Sequence, residues 1–311
     1  GSGRGSYQAD YRSSNLPNSG SGADPDFTKD TAKYSVITDT HGTPFGRRRA
    51  YFDLGDNTKS YGETSNFTYY EPVEDTHTGG ATKMTILGNH DVAQYLHEGS
   101  ISKNVLMEKR KLQIYPDKDY KIVFYGFSCC NTFGDFEIKP ADIREMVTDM
   151  LSAEHRGWNV AVLTHVPLFA PGSSSNPSYN MKYAWTENKD KAQTEPKNSK
   201  ALLDVLRAYQ KHTTCTCYED NSGPLIGSWD FSYNTSGYVI GCFCGHIHRG
   251  LKMGRKHFYT KGDTQEIVGP YGIFMQAFAA NGERSYMSRD NSAGDGNDGW
   301  YEPSEQSIYI D

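Results

Sequence analysis

The chain has no apolar run of the roughly 18 residues that a helical membrane span requires, so no segment of it reads as a spanning helix. It also lacks a basic excess: 32 Lys and Arg stand against 38 Asp and Glu, for a net charge of −6. No basic tract compensates, and this argues against nucleic acid as a partner, which calls for a basic stripe. Aliphatic residues are sparse, with a hydrophobic fraction of only 36%. Aromatics offset this at 13%, led by 22 Tyr, which supply apolar area that the aliphatics do not. A true core set inside long polar loops is therefore expected. Cysteine is scarce and falls in three close pairs, Cys129 with Cys130, Cys215 with Cys217 and Cys242 with Cys244. Such pairs suit small buried thiols better than a disulfide framework, and free thiols favour a reducing, cytoplasmic compartment. A secreted protein would need a signal peptide already removed. No internal repeat is visible.

What is there is an ordinary folded enzyme's length, 311 residues. It opens on GSGRGS, which resembles an expression scar, and residues 1–30 read as a flexible tail. Residues 31–311 read as one domain. Strands are expected to end at Asp39, near Gly55 and at Gly88, with a helix starting behind the third over residues 92–97. Residues 104–128 alternate apolar and polar positions and predict two or three strands. Pro140 opens a helix with Ile143, Met146, Val147, Met150 and Leu151 on one face. Ser199 is placed to cap another, carrying Leu202, Val205, Leu206 and Tyr209. The runs NVAVLT, GYVIGCFC, IFMQAFAA and QSIYI read as further strands. Residues 58–82 and 171–197 are polar and read as loops.

Five short polar motifs are spread along this layout: Asp39-Thr40-His41, Gly55-Asp56-Asn57, Gly88-Asn89-His90-Asp91, Thr164-His165 and Gly245-His246-Ile247-His248. Four of them end an apolar, β-branched run. Ligands of α/β sheets bind beyond the carboxyl ends of the strands, so side chains at several strand ends converge although the chain between them is long. Imidazoles, carboxylates and one amide suit a pair of divalent transition metals without any thiolate. Singly, Asp39 or Asp56 is an ordinary turn residue, and Asn89-His90 is ordinary turn chemistry. Together the five point to a two-metal hydrolase.

The motif order DTH, GD, GNHD, TH and GHIH resembles the calcineurin-like metallophosphoesterase family, of bacterial or phage type, over roughly residues 34 to 280. The resemblance implies an α/β fold, a four-layer α/β/β/α sandwich with two mixed β-sheets, as a metallophosphoesterase domain over 31–311. It implies one metal held by Asp39, His41, Asp56 and His248, and a second held by Asp56, Asn89, His165 and His246, with Asp56 bridging. The ions would be manganese, iron or zinc. The implied chemistry is hydroxide attack on phosphorus in a small phosphodiester or phosphomonoester, with both cations neutralising charge on the phosphoryl oxygens. His90 matches the family's histidine that is not a ligand and serves the transition state or the leaving oxygen. A nuclease of the same fold is the alternative within the enzyme class. A low-turnover binding module in a phage or cell-surface assembly is the alternative outside it.

Departures from the family pattern narrow the reading. Lys59 and Ser60 stand where phosphoprotein phosphatases carry Asp-Arg. Purple acid phosphatases carry Tyr at the Lys59 position and Gly at the His41 position. The stretch from His41 to Gly55 is short for a crossover with its own helix. It contains Arg47-Arg48-Arg49, read either as a solvated loop or as guanidinium groups that grip a phosphoryl group. His77, His97, His155, His212 and His257 read as solvent or structural residues. Asp290–Asp298 lacks the spacing of a calcium loop, and the sequons at Asn66 and Asn234 match by chance.

Overall fold

The computed structural model describes residues 32–39, 50–57, 74–75, 80–98, 108–168, 195–234, 236–246, 251–253, 273–278 and 306–310. These residues form mixed α/β structure with several sheets. The first sheet has four strands: β1 (Ala32–Ile37), β2 (Phe52–Asp53), β5 (Met84–Thr85) and β14 (Gln306–Ile310), in the order β14-β1-β2-β5. Strands β1, β2 and β5 run parallel, with Val36 beside Phe52 and Phe52 beside Met84. The final strand closes the edge antiparallel to β1.

The second sheet has six strands: β6 (Gln113–Asp117), β7 (Ile122–Gly126), β8 (Asn159–Leu163), β11 (Val239–Cys244), β12 (Leu251–Met253) and β13 (Met275–Ala277). Its order is β12-β13-β11-β8-β7-β6, with a parallel centre and an antiparallel strand at each edge. Strands buried on both faces read as continuous apolar runs. This is why IVFYG, NVAVL and VIGCFC are buried along their whole length. Two smaller pairs complete the set, β9 (Thr214–Tyr218) with β10 (Leu225–Asp230), and β3 (Glu74–Asp75) with β4 (Gly80–Ala81). The latter lies inside the 58–82 stretch read as loop.

Alternation along β11, shifted once by the irregularity between Val239 and Gly241, divides the core. Phe243 and Ile240 join Ala161, Leu163, Ile122 and Phe124 of the second sheet with Tyr34, Val36, Phe52, Leu54, Met84 and Ile86 of the first. The sheets thus share one apolar layer, into which Tyr34, Phe52 and Phe124 pack ring against ring. Cys242 and Cys244 point the other way, as two positions apart on a strand must. They join a second cluster with Val160, Val162, Tyr125 and two helices, α2 (Pro140–Met150) and α3 (Ser199–Lys211). All six cysteines are free and buried, and none belongs to a metal-holding cluster among the described residues.

Both helices follow the apolar period. Ile143, Met146, Val147 and Met150 of α2 are buried behind Pro140 in its first turn. Leu202, Val205, Leu206 and Tyr209 of α3 are buried likewise. The expected cap is displaced: Asn198, not Ser199, is the N-cap of α3, with left-handed backbone at φ 66° and no side-chain cap. Its amide instead donates to the Ile138 carbonyl and accepts from the Asp220 N–H, tying three segments together. The helix behind β5, α1, spans Asn89–Glu98 and so begins three residues before the expected 92. Asn234 of the second sequon is buried, with its amide spent on Tyr209 and Gly237.

Candidate metal centre

Five parallel strands of the two sheets deliver side chains to one place. Asp39 follows β1, Asp56 follows β2, Asn89 follows β5, His165 follows β8 and His246 follows β11. Backbone bonds hold the strand exits in step: Asp39 N–H donates to Gly55, Ile86 N–H to Asp53, Thr164 N–H to Phe243, and Gly245 N–H to His165. Asp39, Asp56 and His246 have left-handed backbone, at φ 52°, 59° and 69°. Asp and His are enriched among the residues with a Cβ that enter this region, at ~1–2 kcal/mol each. The strain turns each side chain back across the strand ends rather than onward with the chain.

Asp56, His165 and His246 each place a ligating atom within 4.8 Å of the others, so the three can hold a metal ion. His165 is fully buried, and its Nδ1 lies 2.7 Å from the Leu54 carbonyl. A carbonyl only accepts, so Nδ1 carries the hydrogen and Nε2 faces the carboxylates. Nε2 lies 3.1 Å from Asp56 Oδ2 and 4.0 Å from Asp39 Oδ1. Burial opposes charge on this imidazole, but Asp56 and then Asp39 outweigh it and push the pKa up to about 10. The pocket is thus built for positive charge at this point, and a bound cation would satisfy it in place of a proton.

The other oxygens of these carboxylates accept from N–H and hydroxyl donors of the chain. Asp39 Oδ2 accepts from Thr38 Oγ1 at 2.7 Å and from the His246 N–H at 2.9 Å. Asp56 Oδ1 accepts from the His90 N–H at 3.0 Å. Asn89 donates through Nδ2 to the Phe133 carbonyl, which fixes its flip and leaves Oδ1 buried without a hydrogen bond. A buried amide oxygen without a hydrogen bond, and a buried imidazole nitrogen faced by two carboxylates, fit a bound cation. The donor set of carboxylate, imidazole and amide fits a divalent transition metal.

Two further carboxylates organise the loops. Asp91, in the first turn of α1, accepts from the N–H groups of Gly88, Asp56 and Asn57 at 2.8–2.9 Å. It thereby locks the Asp56 loop to the start of the helix that carries Asn89 and His90. Asp53 accepts from the Gly55 N–H and from Asn57 Nδ2. Burial raises the pKa of both, Asp53 to about 6, and the Asp56 charge raises Asp91 further. The motif glycines are steric necessities. A Cβ on Gly88 would lie 2.0 Å from Asp56 Oδ1, and one on Gly245 would lie 2.0 Å from Thr38 Oγ1. Gly55 combines φ +103° with a backbone neighbour at 2.5 Å. Only glycine meets both demands.

His90 lies beside the cluster. Its Nε2 is 3.9 Å from Asp56 Oδ2, it is partly exposed, and its ring meets Phe133 edge to face at 5.0 Å. His41, His248 and Arg47-Arg48-Arg49 lie outside the described residues, as do Asn66 and Asp290–Asp298. The structure thus brings together Asp39, Asp56, Asn89, His90, His165 and His246 of the expected set. Sequence reasoning passed over Asp53, Asp91 and Phe133. An acidic residue three positions after a glycine that opens a helix was a usable sign for Asp91, in the manner of a capping box. Phe133 carried no signal. No family model matches the chain, and no curated protein matches it either.

Proposed function

We propose that this chain is a dimetal-dependent phosphoesterase, with the four-layer α/β/β/α sandwich of the calcineurin-like enzymes, acting on a small phosphodiester or phosphomonoester. The observation that carries the reading is the meeting of Asp56, His165 and His246 from three strand ends, with Asp39 4.0 Å from His165 and with Asn89 Oδ1 buried and lacking a hydrogen bond. Asp56, Asn89, His165 and His246 would hold one ion. Asp39, Asp56, His41 and His248 would hold the other, with manganese, iron and zinc all suited to these donors. Bound there, two divalent ions would supply positive charge to a phosphoryl group and would make a water molecule more acidic.

The chain's own residues do the rest. His165 holds its Nε2 in place through the Leu54 carbonyl, so the ligand is oriented before any substrate arrives. Asp91 keeps Asp56 and the start of α1 in register. His90 stands at the partly exposed side of the cluster, where an imidazole can deliver a proton to a leaving oxygen. The acidic surface balance favours a small substrate over DNA.

The test is turnover of bis-p-nitrophenyl phosphate by the metal-free protein titrated with Mn2+, alongside Asp56→Asn. Activity should require the metal, and Asp56→Asn should lose both activity and bound manganese by elemental analysis. Metal-independent turnover, or full metal content in the variant, would exclude the proposal.

A further inference from the structure

Phe133 is one of a few large apolar side chains exposed among the described residues, at 40%, and it lies beside the candidate metal centre. Its position is built rather than incidental. Cys130 and Phe136 pair as an antiparallel bridge, and the loop between them is closed by Asn131 N–H to the Asp135 carbonyl at 2.9 Å. Thr132 Oγ1 accepts from the N–H groups of Gly134 and Asp135. The same loop touches the centre twice. Phe133 meets the His90 ring at 5.0 Å and takes the Asn89 amide on its carbonyl, while Phe136 is buried against His246 at 5.6 Å.

We infer that Phe133 is a substrate-contacting residue that selects phosphoesters bearing a planar aromatic ring on the leaving group. The inference rests on the phosphoesterase reading, in which His90 faces the leaving oxygen. A ring attached to that oxygen then meets the exposed part of Phe133. Stacking or edge contact between the rings gains from apolar burial and quadrupole alignment together. Such contacts favour an aromatic group over a bare one by about tenfold. A metal ion makes no such distinction.

The experiment uses phosphonates, whose P–C bond the reaction leaves intact, so that binding is read without turnover. Calorimetric Kd values are measured for phenylphosphonate, cyclohexylphosphonate and methylphosphonate on manganese-loaded wild type and Phe133→Leu. Leucine retains the backbone carbonyl that holds Asn89 and most of the apolar volume. Wild type should bind phenylphosphonate about tenfold tighter than methylphosphonate, with the cyclohexyl compound between them. In Phe133→Leu the phenyl advantage over cyclohexyl should vanish, with methylphosphonate affinity and manganese content unchanged. Equal phenyl and methyl affinities in wild type, or a phenyl preference that survives in the variant, would overturn the inference alone. If no phosphonate and no inorganic phosphate binds the loaded protein, the phosphoesterase reading falls and the inference falls with it.

Discussion

At the scale of single residues, the candidate centre depends on how each polar atom is already committed. Asn89 spends its amide nitrogen on Phe133, and His165 spends Nδ1 on Leu54, so the remaining oxygen and nitrogen are aimed before a ligand arrives. His90 differs in that its backbone, rather than its ring, holds the centre in place: its N–H donates to Asp56 Oδ1. His90→Ala keeps that bond and should keep the metals. Its activity on an alkyl phosphoester should fall by roughly 10²–10⁴, the usual contribution of a histidine proton donor. On a p-nitrophenyl ester the fall should be smaller, because that leaving group departs without a proton. Steady-state rates on the two esters, with metal analysis of the same sample, decide the matter. Equal losses assign His90 to charge stabilisation instead, and loss of metal makes it a ligand.

At the scale of elements, the strands are short and the turns after them do the placing. The β2 exit and the α1 start touch so closely that Gly88 has no room for a methyl group against Asp56. Gly88→Ala should therefore displace the carboxylate or the helix start, at ~1–3 kcal/mol, the range for overpacking a filled site. Urea denaturation should show that loss, and manganese affinity should fall with it. A variant matching wild type in both would mean that the turn relaxes freely and that the glycine is dispensable. The helices were legible from residue type alone: α2 and α3 bury the stripes that a 3.6-residue period marks. The cap of α3 was not, because Asn198 is recruited by Ile138 and Asp220, both distant in sequence.

At the scale of the whole molecule, folding buries Asp39, Asp53, Asp56 and Asp91 together, with His165 the fully buried histidine among them. Gathering carboxylates out of water is costly unless positive charge or donors meet them. The metal-free fold should accordingly be weaker than the loaded one. Ligand at about 100 times its Kd adds ~2.7 kcal/mol, which for a chain of this size raises Tm by roughly 4 °C. Thermal unfolding with a chelator and then with excess Mn2+ measures this directly. A Tm that ignores both treatments would show that the centre folds complete without an ion.

Residue type and spacing already carried the apolar runs, the helix stripes, the shared face of Cys242 and Cys244, and the candidate ligands, because burial and backbone period act locally along the chain. The candidate ligands were legible for the same reason: four of the five motifs end an apolar run, and the carboxyl ends of parallel strands face one side. What local pattern does not contain is which strands become neighbours. The order β14-β1-β2-β5 beside β12-β13-β11-β8-β7-β6 is set by the packing of Phe243, Phe124 and Phe52 between the sheets. That packing, with the His165 bond to the Leu54 carbonyl, brings Asp56 within 3.1 Å of His165, more than a hundred residues away. It also makes Asp91 a clamp between two loops and leaves Phe133 exposed at the rim. A hydrogen bond or a ring contact between distant segments depends on distance in space, and that distance exists only once the two sheets have closed on their common core.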